Sequence, residues 1–417
     1  MRPRARVVGA GLSGLSAAVE LTDAGFAVEV TEGAAQAGGR CRSYHDPALD
    51  RVIDNGNHLV LSGNRAVARY LTTIGAGDRL TGPETAAFAF VDLVTDERWT
   101  FRPNDGPVPW WVFAKSRRVP GTTPLSYAPL ARLLGGGPTE TVADRIATSG
   151  PVWDRLLDPV LLAALNTASA EGSAALTAAV LRESVARGGR AMRPRIAEPT
   201  LAAAFVDPAL TWLAAQGSAV TLGRRLRRLR LEGDVVTGLD YGDAIEPVSA
   251  DDPVVLAVPP WVAAALVPDL VVPDDFRAIV NAHFAVVPPK GTPAMLGVIG
   301  GAAQWIFAFD DRISVTVSAA DIMVDRDRAE LAATFWAEIS YIHGLPVDLP
   351  PWQIVKEKRA TFAATPAQEI RRPGAATRWR NLFLAGDWTA TGLPATIEGA
   401  LRSGVTAAGL ADTLSRV

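Results

Sequence analysis

Disulfide chemistry is excluded at once: the 417 residues include a single cysteine, Cys41, so no internal bridge can form. That scarcity fits a reducing cytoplasm. Lysine is nearly missing too, and arginine supplies most of the 41 basic residues in a chain of net charge −3. Such a balance argues against a nucleic-acid partner. The one basic cluster, "GRRLRRLRL" from Gly223 to Leu231, reads as a solvated strand face rather than an anion site. No uninterrupted apolar run reaches about 18 residues, so no segment is expected to span a bilayer. A slightly apolar overall balance leaves attachment to a membrane surface open. Histidine is limited to four positions, which shortens any list of titrating catalysts, and no metal site is expected.

What is present begins at the first residues. "MRPRARVVGAGLSGLSAAVEL" looks like an export signal, basic and then apolar. Its glycines at 9, 11 and 14 instead predict a strand, a tight turn and a helix. Val7 and Val8 form the strand. Leu12, Leu15, Ala18, Val19 and Leu21 recur at helical spacing, and Ala27 to Thr31 alternate as a second strand ending at Glu32. Gly9-x-Gly11-x-x-Gly14 in that setting is the dinucleotide-binding pattern. Gly9 permits the turn, Gly11 lets a pyrophosphate approach the backbone, and Gly14 allows close packing of helix on strand. The helix start then offers free N–H groups and a positive dipole end to phosphate. Glu32 can accept hydrogen bonds from the adenosine ribose.

The residues that follow choose between cofactors. Gly38-Gly39-Arg40, within "EGAAQAGGRCRSY", resembles the flavin amine oxidases and carotenoid desaturases. That resemblance implies FAD, with the glycines admitting its flavin side and Arg40 facing the pyrophosphate as a permanently charged fork. "VIDNGNHLVLSGN", Val52 to Asn64, is where such relatives turn toward the isoalloxazine. His58 there is either a proton donor or a histidine bonded to backbone. "GDWTATGLPATIEGA", Gly386 to Ala400, matches the way these enzymes end. Asp387 would bond the ribityl or pyrophosphate region. The helix starting at Thr396, Ile397 and Glu398 would aim N–H groups and its dipole at the flavin pyrimidine, where the reduced ring carries negative charge. Glu398 is alternatively no more than a favourable first-turn acid. The expected cofactor set is therefore Gly9, Gly11, Leu12, Ser13, Gly14, Glu32, Gly38, Gly39, Arg40, Asn55, Gly56, Asn57, Leu226, Gly386, Asp387, Thr396, Ile397 and Glu398.

The chain is too long for one simple core. The expected class is α/β, amine-oxidase-like: a discontinuous Rossmann-type FAD-binding domain with a mixed α+β substrate domain. Residues 1–105, 201–267 and 373–417 would build the nucleotide domain. Residues 106–200, rich in Ala, Leu and Arg, read as a helical, substrate- and membrane-facing part. Residues 268–372 read as strand-rich.

Four stretches are more specific. "RRVPGTTPLSYAPLARLL", "LLAALNTASAEGSA", "VKEKRATFAATP" and "LAGDWTATGLPATIEGALRSG" resemble, in order along the chain, the hydroxysqualene dehydroxylases, FAD enzymes of bacterial hopanoid synthesis. Two positions depart from that family: Asn57 where it usually has Gln, and Ala168 where it often has Pro. Both bear on details of the substrate pocket. The resemblance implies reductive removal of the allylic hydroxyl of C30 hydroxysqualene to give squalene. Such chemistry needs an electron donor, a proton donor to the leaving oxygen, a dry site and an apolar tunnel. His58, His283 and bound water are the candidate donors, and Trp305 and Trp110-Trp111 are candidate walls. A cytoplasmic protein held peripherally on the membrane face is expected. The runner-up is a phytoene- or squalene-type desaturase, with the redox direction reversed. A prenyl-binding carrier on the same fold is the non-enzymatic alternative.

Overall fold

The computed structural model describes residues 2–414; Met1 and the last three residues of the 373–417 segment lie outside them. Five short strands pair in parallel in the order Ala219–Thr221, Ala27–Thr31, Arg4–Val8, Val254–Leu256, Leu382–Leu384. Val254–Leu256 and Leu382–Leu384 are continuous, fully buried apolar runs, as expected of parallel strands covered on their faces. Leu12–Asp23 and Ile397–Leu414 lie against each other there, with Ser16 Oγ donating to Leu401 O at 2.9 Å. Gly404 makes this approach possible, since a β-carbon would overlap the Ser13 carbonyl oxygen. Strands from the beginning, middle and end of the chain thus form one sheet. An antiparallel meander, Arg228–Glu232, Val235–Asp240 and Ile245–Pro247, leads from its edge toward the Val254–Leu256 strand. The basic cluster runs into this meander, where Arg224 pairs with Glu246 and Arg230 with Asp240.

The second sheet has seven strands in the order 352–362, 276–284, 313–317, 305–308, 295–299, 88–92, 97–101. All neighbours are antiparallel except 295–299 with 88–92. Period-two alternation splits its residues between two faces. Ala278, Val280, Ala282 and Phe284 pack under the helix Arg328–His343. Asn281 and His283 lie on the opposite face, toward the 54–57 loop. Phe88–Asp92 and Glu97–Phe101 belong to this sheet, although the sequence reading put them in the nucleotide segment 1–105. Apolar alternation predicts a strand but not its sheet; pairing of Leu296 with Ala89 decides that.

Between the sheets lies the segment 106–200, built of short helical turns punctuated by Pro and Gly, with one strand, Pro194–Ala197, paired to Leu59–Leu61 and Leu80–Thr81. Asn166, in the left-handed region at φ 48°, ties it to the seven-stranded sheet. Its amide donates to Thr361 Oγ1 at 2.9 Å and accepts from Ala319 N at 2.6 Å. The interface holds an aromatic-rich apolar layer containing Phe88, Phe90, Trp99, Phe101, Trp111 and Trp305.

Candidate active site

The glycine turn separates packing from access. Gly9, at φ 108°, donates to Thr31 O at 2.7 Å, and a β-carbon there would overlap the Ala257 carbonyl oxygen. One on Gly14 would overlap the Gly9 carbonyl oxygen, whereas one on Gly11 would meet nothing within 4 Å. Gly38 N donates to Ala10 O at 2.7 Å, which brings the second glycine pair beside the first. A β-carbon on Gly39 would lie 3.4 Å from Gly11 Cα. Gly11 and Gly39 therefore border one open gap. The N–H groups of Leu12, Ser13 and Gly14 precede the first intrahelical bond, Leu15 N to Gly11 O at 2.9 Å. They are donors without helical partners. This cradle fits a pyrophosphate.

Glu32 sits at the end of the second strand and holds the turn together. Its two carboxylate oxygens accept from Ala10 N and Ala34 N, each at 2.8 Å. A carboxylate has lone pairs to spare for ribose hydroxyls. Leu226 is buried in the apolar cluster beyond.

At the other end, Gly386 lets the chain pass the Trp388 indole, which a β-carbon would overlap. Trp388 Nε1 donates to Val258 O at 2.9 Å. Asp387 is buried and its carboxylate meets the Arg40 guanidinium at 2.6 Å. Arg40 also donates to Ala360 O. Two motifs some 350 residues apart in sequence are thus one ion pair. Arg372, buried behind the turn, donates to Asp387 O at 3.0 Å and Thr389 O at 2.9 Å and pairs with Glu369 at 2.6 Å. Nothing in the sequence around Arg372 signalled this role. His58 lies near the Arg40–Asp387 pair. Burial, aided by the Arg40 charge and opposed by Asp387, pushes its pKa down to about 4, so the ring is neutral at pH 7.

The loop 54–57 is sewn onto the second sheet. Asp54 accepts from Ser43 Oγ at 2.6 Å and Leu201 N at 2.9 Å. Asn57 Nδ2 donates to Thr316 Oγ1 at 3.0 Å, which donates to Asn281 Oδ1 at 2.8 Å. Asn281 Nδ2 reaches Asn55 O at 3.4 Å, directly beside Gly56, and Asn55 Nδ2 reaches Glu357 Oε2 at 3.5 Å. Asn55 and Asn57 thus spend their amide donors on the sheet. Asn57 Oδ1 stays buried without a partner among the described residues, an acceptor left for a group from outside the chain.

His283 and Glu398 are both held by partners outside their own motifs. His283 is fully buried in its strand, with Nδ1 on Ser314 Oγ at 2.8 Å. Burial, then the neighbouring Arg312, pushes its pKa down to about 3. The ring is therefore neutral at pH 7, and its Nε2 has no hydrogen-bond partner among the described residues. The Glu398 side chain is a first-turn acid of its own helix and also reaches another. Its oxygens accept from Ala66 N and Val67 N, both at 3.0 Å, and from Arg402 Nε at 2.9 Å. It caps the helix Arg65–Thr73. The partners lie too far away in sequence to be read from its motif. Thr396 Oγ1 accepts from Gly399 N at 3.0 Å, and the Ile397 and Glu398 N–H groups precede the first intrahelical bond. Of the candidate walls, Trp305 and Trp111 are buried and Trp110 faces out.

A parallel sheet whose glycine turn, strand-end acid and C-terminal Gly-Asp turn converge on one gap is that of a dinucleotide-dependent oxidoreductase. Residues 12–411 match the flavin containing amine oxidoreductase family, and the chain belongs to it as a flavoprotein. Within that family it is 53% identical over 411 residues to the hydroxysqualene dehydroxylase of Rhodopseudomonas palustris, covering 98% of each chain. It is 50% identical to the hydroxysqualene dehydroxylase of Sinorhizobium fredii, covering 99% of each. Among solved structures, cyclohexylamine oxidase from Brevibacterium oxydans IH-35A superposes with a TM-score of 0.73 at 16% identity, covering 100% of both chains. That likeness speaks for the fold alone.

Proposed function

We propose that this flavoprotein binds FAD non-covalently and reductively removes the allylic hydroxyl of hydroxysqualene, leaving squalene. The observation that carries the reading is identity of about half, over 98–99% of each chain, to hydroxysqualene dehydroxylases, supported by glycine turns that leave an open gap at Gly11 and Gly39. Gly11, Gly39 and the N–H groups of Leu12 to Gly14 would take the pyrophosphate, and Glu32 the adenosine ribose. Asp387, oriented by Arg40 and braced through its backbone by Arg372, would bond the ribityl region. The N–H groups at Ile397 and Glu398 would face the pyrimidine, where the helix dipole favours negative charge. When bound and reduced, the flavin supplies a hydride equivalent.

The remaining work falls to the chain. An allylic C–O bond ionises to a delocalised cation, so water must be kept away while the oxygen gains a proton. The apolar layer around Phe88, Phe90 and Trp305 suits both a C30 hydrocarbon and water exclusion. His58, neutral beside Arg40, acts there as a hydrogen-bonding group and relay, with bound water completing proton delivery. Electrons come from a separate donor. The substrate partitions into lipid, and among the described residues no helix is long and apolar enough to cross a membrane. We therefore place the protein peripherally on the cytoplasmic membrane face.

Denaturation should release a free flavin with the mass of FAD. Enzyme supplied with a chemical reductant and hydroxysqualene should accumulate squalene. Oxidised enzyme mixed with squalene should keep its flavin oxidised; bleaching with formation of a conjugated polyene would establish the desaturase reading instead.

A further inference from the structure

Four large apolar side chains stand in solvent within one short stretch: Val108 at 71% exposure, Trp110 at 50%, Phe113 at 75% and Leu125 at 82%. Single exposed apolar residues are ordinary; a group of this size is not. They are also held in place. Trp110–Phe113 and Pro124–Tyr127 are short helical turns joined from inside by an edge-to-face contact of Trp111 with Tyr127, centroids 4.9 Å apart. Tyr127 OH is fixed in turn by Val119 N at 2.9 Å and Thr122 Oγ1 at 3.1 Å. The buried partner of each turn is an aromatic anchor, and the outward partner is the exposed one.

Charge singles out the same stretch. Residues 102–134 carry Arg102, Lys115, Arg117, Arg118 and Arg132 against a single carboxylate, Asp105, in a chain whose net charge is −3. Elsewhere arginines are extensively paired with carboxylates, yet none of these five makes a salt bridge among the described residues. Arg117 instead lies over the Trp110 ring, 4.7 Å from its centroid. An indole with a cation on its face belongs at the level of lipid headgroups, where one side is apolar and the other anionic.

We propose that this stretch is a docking surface for an anionic phospholipid bilayer. Trp110, Phe113 and Leu125 enter the headgroup–acyl boundary while Lys115, Arg117 and Arg118 meet phosphates. The surface leads inward. Trp111 packs edge-on against Phe101 at 4.9 Å, and Phe101 against Phe88 at 6.2 Å, which joins the docking turns to the apolar layer between the sheets. This deepens the membrane reading given above and rests on it, but lipid binding itself requires no substrate.

The test is flotation of the FAD-loaded protein with phosphatidylcholine vesicles, with and without phosphatidylglycerol. The wild type should float with the anionic vesicles and be released by salt. Replacing Lys115, Arg117 and Arg118 by Gln should weaken that binding about fivefold per cation, on the order of a hundredfold together. Replacing Trp110, Phe113 and Leu125 by Ser should weaken it roughly tenfold or more on either vesicle. Flavin content should not move in either variant; the thermal midpoint should shift little in the apolar variant, whereas the cation variant also loses the hydrogen bond from half-buried Arg118 to Val112 O at 2.8 Å. A wild type that stays at the bottom of the gradient, or variants that float as it does, would overturn the proposal. Equal flotation on neutral vesicles would overturn its electrostatic half. If the wild type floats but makes no squalene, docking stands and the dehydroxylase reading falls; squalene formation without flotation gives the reverse.

Discussion

A methyl group added at Gly14 has nowhere to go, because the Gly9 carbonyl oxygen occupies the place, while one added at Gly11 meets open space. The two glycines of one motif therefore fail differently. Gly11→Ala should fold with a thermal midpoint close to wild type and lose flavin, because the added carbon stands in the pyrophosphate path. Gly14→Ala should lose stability first, by roughly 1–3 kcal/mol or more from overpacking. Comparing flavin content with unfolding midpoints for the pair checks both. Asp387→Ala should behave like Gly11→Ala, weakening flavin retention by roughly 1–3 kcal/mol as cofactor polar atoms lose their partner. His283 makes a different kind of claim. Its ring stays neutral in the fold to about pH 3 but takes a proton near the ordinary 6.5 when unfolded. Unfolded protein then binds more protons, so stability is complete above about 6.5 and falls as pH drops toward 3, by about 1.4 kcal/mol per unit from this group. His283→Gln should flatten the pH dependence of the urea midpoint between pH 6.5 and 5, without abolishing turnover as loss of a proton donor would. At this scale the sequence made the cofactor motifs readable, because spacing along a turn is local. It could not tell His58 from His283, since what surrounds each ring, Arg40 and Asp387 near one, Ser314 and Arg312 near the other, depends on the fold.

Elements decide what Glu398 does. The last helix begins where the motif placed it, and the carboxylate of its second residue caps another helix, Arg65–Thr73. The same carboxylate anchors Arg402, which reaches on to Glu183 at 2.7 Å. One side chain thus locks the last helix, the 65–73 helix and the helical segment together. Glu398→Ala should cost about 1–3 kcal/mol through two orphaned N–H groups and a stranded arginine. Flavin bound per folded molecule should stay near wild type, in contrast with Asp387→Ala; a urea titration paired with flavin absorbance separates the two. Both the capped helix and the membership of strands 88–92 and 97–101 in the second sheet depend on contacts distant in sequence. Apolar period announces an element, whereas its partner is set by assembly. Arg372 shows the limit most plainly. It stands among other arginines in "EIRRPG", and only the folded turn reveals which of them is buried against Asp387 and Thr389.

For the whole molecule, the sheet order explains why cofactor motifs occur at both ends of the chain. The first strand lies at the centre, flanked by the second strand and the Val254–Leu256 strand, and the C-terminal strand pairs beyond the latter. Residues 8–14 and 386–398 therefore both follow the carboxyl ends of strands in one sheet, which is how motifs so far apart in sequence can meet. Redox direction is not written in the cradle, since a helix N-terminus that stabilises reduced flavin serves a hydride donor and a hydride acceptor alike. Direction comes from the substrate: an allylic alcohol ionises to a cation that can take hydride, while squalene has no leaving group and could only give hydride up. The most direct measurement is a single turnover. Enzyme reduced anaerobically and then mixed with hydroxysqualene should regain its oxidised flavin spectrum as squalene forms, one molecule for each flavin reoxidised. Flavin that stays reduced with the alcohol unchanged would contradict the account.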